Sequence, residues 1–428
     1  MPGLLQNKEL EGAGIVWLET LRRKGREAFA AAGLPTPKTE AWKYTRLRML
    51  GADDFVLPAE DEIRCSCGCE EGHCEHENCS CRQEHPFPAY VLGFRNGFFR
   101  PPHPELPEGV EVMTLMEALQ LEDEAKSRLG KLIELEKYPL AALNTAYLQE
   151  GLFINIRRGV RLDKPILIEN CTRSGGQNLF FNLRHLIVVE NGAEAEIIET
   201  YAYHGEPKSR YFSNIVSEIY VGRNAVLRHY KLQDEAFKAC HVALAAVQVK
   251  EGGRYRRFCA QKGADVGRDE VVVSLREAQA SAKVDAVYKM SGWATLDTTT
   301  DIRHLSAHTY SEQLVKGVVD GDAKGVFQGR IHIAPDAQQT EGHQLHRALL
   351  LSDRAEVDVK PELEIFADDV KCSHGAASGE LDEEQLFYMR SRGIDAEEAR
   401  RMLVEAFLDD ALLQIENENV RNWLKGKI

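Results

Sequence analysis

The chain has 428 residues, 43% of them hydrophobic and 28% charged, which is ordinary for a globular protein of two or three domains. The formal net charge of −14 provides no overall basic field that would attract nucleic acid or an anionic membrane. No apolar run approaches the roughly 20 residues of a membrane span, and the N-terminus MPGLLQNKELEG lacks the pattern of a secretory signal. We therefore expect a cytoplasmic protein with no nucleic-acid or membrane partner.

Residues 1–150 are predicted to form a helical domain with loops. Ile15, Leu18 and Leu21 are spaced for one face of a helix, and a second helical pattern runs from about Met116 to Leu148. Between these patterns, HPFPAYVLGFRNGFFRPP contains short apolar runs bounded by prolines. This segment predicts a small pair of strands.

Residues 65–85 form a cysteine-rich insert in this domain, CSCGCEEGHCEHENCSCRQEH. Six of the ten cysteines lie here, and in a reducing compartment such a cluster favours metal ligation over disulfides. Thiolates at C-x-C spacing can share zinc or Cu(I), or hold iron–sulfur units. The alternative is a solvated loop, because the segment is acidic and has almost no apolar residues. The candidate ligands of this accessory metal site are Cys65, Cys67, Cys69, Cys74, Cys79, Cys81, His73 and His76.

Residues 151–375 are predicted to form a β-solenoid. Short segments of alternating polarity, such as AEAEIIETYAY and GVFQGRIHI, recur behind turns such as ENGA and KEGG. Such repeats let each turn of a solenoid bury its surface against the next turn. An antiparallel sandwich is the alternative. The small number of two-residue hairpin turns in this zone favours the solenoid.

Residues 376–428 are predicted to form a helical C-terminal domain. Asp382 is the expected N-cap of one helix that ends at Gly393, and Asp395 with Glu398 opens the next. Because two helices alone bury little surface, the apolar stripe of the second is expected to dock on the solenoid or on a partner. This stripe consists of Met402, Leu403, Ala406, Phe407, Leu412 and Leu413.

The segment DDVKCSHGAASG contains a second candidate site. Alternate residues of a strand share a face, so Cys372 and His374 are expected to point the same way. A thiolate and an imidazole can together hold iron or zinc if another surface supplies further ligands. The pair could equally be a Cys–His nucleophilic dyad, or a structural cysteine beside a surface histidine.

The other histidines and cysteines of the middle zone are expected to have structural roles, with metal ligation as the alternative for the histidines. No phosphate-loop motif G-x-x-x-x-G-K-[ST] occurs in the chain, so we expect no nucleotide site of its own. The residues of this structural group are His304, His308, His343, His346, Cys171, Cys240 and Cys259.

The run from Leu314 to Ile394, which includes DGDAKGVFQGRIHIAPDAQQTEGHQLHRALLLS and KCSHG, closely resembles the SufD branch of the SufB/SufD family of iron–sulfur cluster assembly. PTPKTEAWKYTRL near the N-terminus resembles the same family, so the likeness covers most of the chain. SufB has a Q-C-D-S cysteine where this chain has LHRALLLS, which favours the SufD branch. The resemblance implies a right-handed parallel β-helix flanked by helical N- and C-terminal domains. The cysteine-rich insert is not part of the family pattern.

The resemblance also implies a function and its partners. SufD is a non-catalytic scaffold that pairs with SufB through the β-helices and binds the SufC ATPase through its C-terminal helical region, here around Phe407, Leu408 and Leu412. It supports iron entry and the assembly of a transient iron–sulfur cluster at the SufB–SufD interface, where Cys372 and His374 are the implicated residues. Sulfide comes from a cysteine desulfurase system, mainly onto SufB. The isolated subunit is expected to be able to form a homodimer. Whether this chain binds the reduced flavin associated with complexes of the family stays open.

Two other functions compete with the scaffold. A stand-alone protein could bind soft metals through the cysteine-rich insert. A β-helix enzyme acting on carbohydrates is the third candidate, but the chain shows neither a secretory signal nor an evident array of acidic residues with basic partners. The residues that carry the family resemblance favour the scaffold, which is not an enzyme.

Overall fold

The core of the molecule is a parallel β-solenoid of about eight turns, seen in a computed structural model that describes residues 10–52, 54–58, 86–100, 104–173, 176–204 and 207–428. Each turn contributes one strand to a nine-stranded sheet and one to a ten-stranded sheet, and strands of successive turns pair in parallel. The predicted solenoid is therefore confirmed, and the antiparallel sandwich is excluded.

Even-numbered strands from β4 onward lie in the nine-stranded sheet together with β3, and odd-numbered strands from β5 onward lie in the ten-stranded sheet together with β1 and β2. The strands are β1 (Tyr90–Arg95), β2 (Phe98–Arg100), β3 (Val110–Thr114), β4 (Leu152–Ile156), β5 (Ile166–Thr172), β6 (Leu179–Val189), β7 (Glu194–Tyr203), β8 (Tyr211–Val221), β9 (Val226–Glu235), β10 (Ala239–Val249), β11 (Arg254–Gly263), β12 (Val266–Leu275), β13 (Ser281–Met290), β14 (Thr295–His304), β15 (Tyr310–Val319), β16 (Lys324–Ile333), β17 (Thr340–Leu350), β18 (Glu356–Ile365) and β19 (Val370–Gly379).

Alternation along each strand divides its side chains between the inside of the solenoid and its outer faces. On β9, Leu227 joins the inner apolar cluster, whereas Tyr230 and Leu232 pack outward against the C-terminal helices. Tight corners join the strands. A Cβ atom on Gly263, whose φ is +73°, would lie 2.1 Å from the Glu235 carbonyl oxygen, so this corner requires glycine.

The N-terminal helices cover the outer face of the nine-stranded sheet. The predicted strand pair is the hairpin of β1 and β2, but the helix expected over residues 116–148 is three separate helices. A capping box at Thr114 opens the first, Gly130 at φ +75° follows the second, and Pro139 begins the third. The helices are α1 (Val16–Ala32), α2 (Arg48–Ala52), α3 (Leu115–Leu121), α4 (Asp123–Arg128) and α5 (Pro139–Ala146), with a 3₁₀ turn at Glu40–Trp42.

The C-terminal helices are α6 (Glu383–Ser391), α7 (Ala396–Leu412) and α8 (Glu418–Lys425). Helices α7 and α8 pack on the outer face of the ten-stranded sheet, and α6 packs on α7. The side chains of Asp382 and Asp395 accept hydrogen bonds from the first-turn amides of α6 and α7, as predicted. The second predicted helix is broken after Leu412, because Asn417 caps a separate helix. Within the described part of the chain, no helix is long and apolar enough to cross a membrane.

The solenoid ends at β18 and β19, which are the terminal strands of their sheets and pair on one side only. Most side chains of β19 are exposed, in contrast to the fully buried β6 and β8. Pro361 lies inside β18, and five charged residues alternate along the same strand: Glu356, Asp358, Lys360, Glu362 and Glu364. The last turn therefore leaves the end of the solenoid open.

Candidate functional site

Cys372 and His374 lie on the terminal strand β19, on the side that faces the inside of the solenoid. Their neighbours in the register are Gly342 and Gln344 of β17. Cys372 packs against an apolar cluster that includes Ile331 and Ile333 of the opposite sheet. Because alternate residues share a face, His374 points the same way, and the two side chains line the mouth of the solenoid.

The Cys372 side chain is half-buried at this mouth. Burial raises the pKa of its thiol, while the backbone N–H of Gly342, which donates to the sulfur, acts to lower that pKa. Because the thiolate is the form that binds metal, a metal ion at this position would displace the thiol proton.

The two ligands do not complete a metal site by themselves. His374 is exposed, and within the described ranges no three His, Cys, Asp or Glu side chains lie together where they could hold a metal ion. The intervening Ser373 points outward and hydrogen-bonds His343 Nδ1 at 2.8 Å. Since a tetrahedral site needs four ligands, these two side chains could supply at most half of such a site.

One turn inward, His346 is held by its surroundings. Its Nε2 lies 2.8 Å from the hydroxyl of Tyr288, and its ring stacks on Phe327 with centroids 5.1 Å apart. Burial lowers the pKa of His346 to about 4, so the imidazole is neutral at physiological pH. This residue shapes the floor of the mouth rather than its rim.

A cluster of titratable side chains fills the interior of the middle turns. Asp269 accepts hydrogen bonds from Lys231 at 2.8 Å and from Arg257 at 2.7 and 2.8 Å. Glu199 lies 2.7 Å from His229 Nε2. Burial alone would raise the pKa of Glu199, but His229 holds it well below the usual range. Asp269 thus joins the two sheets, whereas Glu199 and His229 pair along the ten-stranded sheet, and all of these groups contribute to the core.

The other sequence candidates lie elsewhere. His304 is buried between Thr309 and Ser311, each 2.8 Å from a ring nitrogen, and burial lowers its pKa to about 3. Cys240 and Cys259 are buried, and burial raises the pKa of both thiols. The predicted accessory ligands lie outside the described residues: Cys65, Cys67, Cys69, Cys74, Cys79, Cys81, His73 and His76.

The three apolar residues predicted to bind an ATPase lie on α7. Leu408 and Leu412 are each 3% exposed and pack on the chain's own solenoid. Phe407 is half-buried, and Lys316 Nζ lies 4.6 Å from its ring centroid. Of the predicted stripe, Met402 and Leu413 face solvent instead.

Sequence reasoning missed the polar residues behind the mouth. Gln313 and Gln344 occupy successive positions of the same inner column as His374. Polar residues at every second position of strands such as HYKLQDE signal a polar interior, but the sequence does not show which residues of neighbouring turns meet.

Comparison with known proteins identifies the family. A family model described as "SUF system FeS cluster assembly, SufBD core domain" matches residues 172–407, and another, "SufBD protein N-terminal region", matches residues 6–168. An iron-sulfur cluster assembly SufBD family protein of Synechocystis sp. is 31% identical over 415 residues, which cover 94% of this chain and 89% of that protein. The iron-sulfur cluster assembly protein SufD of Escherichia coli is 30% identical over 402 residues, which cover 92% and 89%. From these matches and the solenoid fold, the chain is a member of the SufB/SufD family of iron–sulfur cluster assembly proteins.

Proposed function

We propose that this chain is a non-catalytic scaffold subunit that pairs with SufB and binds the SufC ATPase. Iron enters, and a nascent cluster is assembled, at the SufB interface. The observation that carries the proposal is the position of Cys372 and His374 on the inner side of an open terminal strand. Two ligands on an accessible edge suit a site that a second protein surface completes.

The open end of the solenoid supports pairing with another solenoid. Terminal strands present unpaired backbone groups, and such edges can add a strand from another chain. Apolar side chains next to the site are exposed, among them Ile365 and Phe366. In the absence of SufB, the same surface would serve a homodimer of this chain.

The residues at the mouth suit iron as cargo. A thiolate and an imidazole bind iron or zinc, and the metal keeps the thiol deprotonated once it is bound. The cluster is held only until it is passed on, and its sulfide comes through the desulfurase system. No side chain at the mouth has to act on a substrate bond.

We place the ATPase contact on the C-terminal helices around Phe407, Leu408 and Leu412. Four large apolar side chains of this region are exposed: Phe387, Tyr388, Met402 and Leu413. Leu408 and Leu412 lie beneath this surface and fix α7 to the solenoid, so the exposed side chains would make the direct contacts. Since the sequence has no phosphate loop, nucleotide energy would come from this partner.

The test is the iron and acid-labile sulfide content of the anaerobically purified complex with SufB and SufC. We expect Cys372→Ala and His374→Ala to assemble the complex but to lose most of the cluster. Deletion of residues 65–81 is expected to retain it. Wild-type cluster content in both point variants would overturn the proposed site, and loss of cluster only in the deletion would move the chemistry to the insert.

A further inference from the structure

A buried side chain without a partner lies directly behind the candidate site. Gln344 is 3% exposed, and among the residues that the structure describes no group pairs with its Nε2 or its Oε1. A buried carboxamide without partners costs free energy, and such a group in a native protein calls for a physical reason.

The position of Gln344 connects it to His374. The two residues are register partners on neighbouring strands and share the inner face. Neighbouring strands lie about 4.8 Å apart, so a glutamine side chain is long enough for its carboxamide to contact an imidazole at the paired position.

The opposite sheet provides room for this carboxamide. A Cβ atom at Gly329 would lie 2.3 Å from Gln344 Oε1, so any larger residue there would displace the amide. Glycine at this point therefore lets the Gln344 carboxamide fit inside the solenoid next to the candidate site.

Gln313, one turn further inside the solenoid, differs from Gln344 in its hydrogen bonding. Gln313 is the register partner of Gln344 on β15, and its Oε1 accepts a hydrogen bond from the hydroxyl of Thr300 on the opposite sheet. Gln313 is therefore anchored inside the solenoid. The acceptor of Gln344 has no such anchor and remains available to the site.

We propose that Gln344 is a positioning residue of the Cys372–His374 site, whose Oε1 accepts the ring N–H of His374 when the other ring nitrogen binds metal. Metal-bound histidines almost always donate their second nitrogen to such an acceptor, which fixes the ring and strengthens binding. The inference rests on the proposed function, because it requires His374 to be a ligand.

The test uses the anaerobic complex with SufB and SufC and Co²⁺ alone as the probe, followed by visible absorption. Loss of an acceptor of this kind typically weakens metal binding by about 10- to 100-fold, and we expect that loss in Gln344→Leu. Gln344→Glu keeps an acceptor and should bind within about threefold of wild type. The control is Gln313→Leu, which should leave Co²⁺ affinity unchanged.

A second measurement separates positioning from a structural role. In the metal-free complex, Gln344→Leu should unfold at the same temperature as wild type or higher, because it removes an unpaired polar group. Wild-type affinity in Gln344→Leu, with affinity lost in His374→Ala, would overturn the role of Gln344 and leave the site standing. Equal affinity in wild type and His374→Ala would overturn both proposals.

Discussion

The interior of the middle turns and the interior of the last two turns use polar residues in different ways. In the middle, Asp269 is hydrogen-bonded by two cations, and Glu199 is paired with His229. Behind the mouth, Gln344 has no partner among the described residues, and His374 is exposed. The charged groups of the middle turns pair with one another, whereas the candidate ligands of the last turn remain accessible.

The largest loss of folding stability is expected from a substitution in the cluster of the middle turns. Asp269→Asn leaves Lys231 and Arg257 without their shared counter-charge, and removing one partner of a buried ion pair typically costs about 3 to 5 kcal/mol. Thermal or denaturant unfolding of the metal-free chain measures the loss. Asp368→Asn on the exposed last corner is the matched control, and it should stay within about 0.5 kcal/mol of wild type. Similar changes in the free energy of unfolding for the two variants would show that the middle turns are no more sensitive to loss of a charge than the last corner.

An intermediate effect is expected from acidification. Burial lowers the pKa of His229 below its unfolded value of about 6.5, so the histidine stabilises the fold while it is neutral, and that stability is lost as the pH falls below about 6.5. The free energy of unfolding should therefore fall between pH 7 and pH 5 on account of this group.

Unfolding measured from about pH 8 to about pH 3 tests this dependence, with His229→Gln as the comparison. The variant should be less stable at pH 7 but should lose less stability on acidification. Below about pH 4.5 a second loss is expected as Glu199, whose pKa is depressed in the folded chain, becomes protonated. If the free energy of unfolding depended on pH in the same way in wild type and His229→Gln, another group would control the loss of stability in acid.

The smallest effect on stability is expected at the mouth itself. His374 is exposed and Cys372 is half-buried, so His374→Ala and Cys372→Ala should each change the free energy of unfolding by less than about 1 kcal/mol in the metal-free chain. Thermal unfolding checks this, with Cys259→Ala as a buried reference that should cost more. A large loss at His374 would mean that the mouth is part of the structural core.

Local signals in the sequence were sufficient for the element types. Alternating segments became solenoid strands, and Asp382 and Asp395 became helix caps, because alternation and capping depend on residues a few positions apart. The break after Leu412 was missed although Asn417 is also a local cap signal, since the apolar spacing continued through it.

Contacts between distant parts of the chain could not be predicted from the sequence. Helices cover the outer faces of both sheets, so every residue of β8 is buried and alternation no longer reveals which side faces inward. The pairing of Gln344 with His374 spans 30 residues, and the space at Gly329 comes from the opposite sheet. Such relations depend on register, which only the folded solenoid fixes.

The composition of β18 affects the tendency of the protein to self-associate. A solenoid with an open end is a template on which further copies could stack without limit into a filament. Pro361 withholds one backbone donor from that strand, and its four acidic residues and one lysine would have to lose water beside any strand added there. Both features disfavour the addition of further copies to this strand, so an open solenoid end does not by itself lead to a polymer.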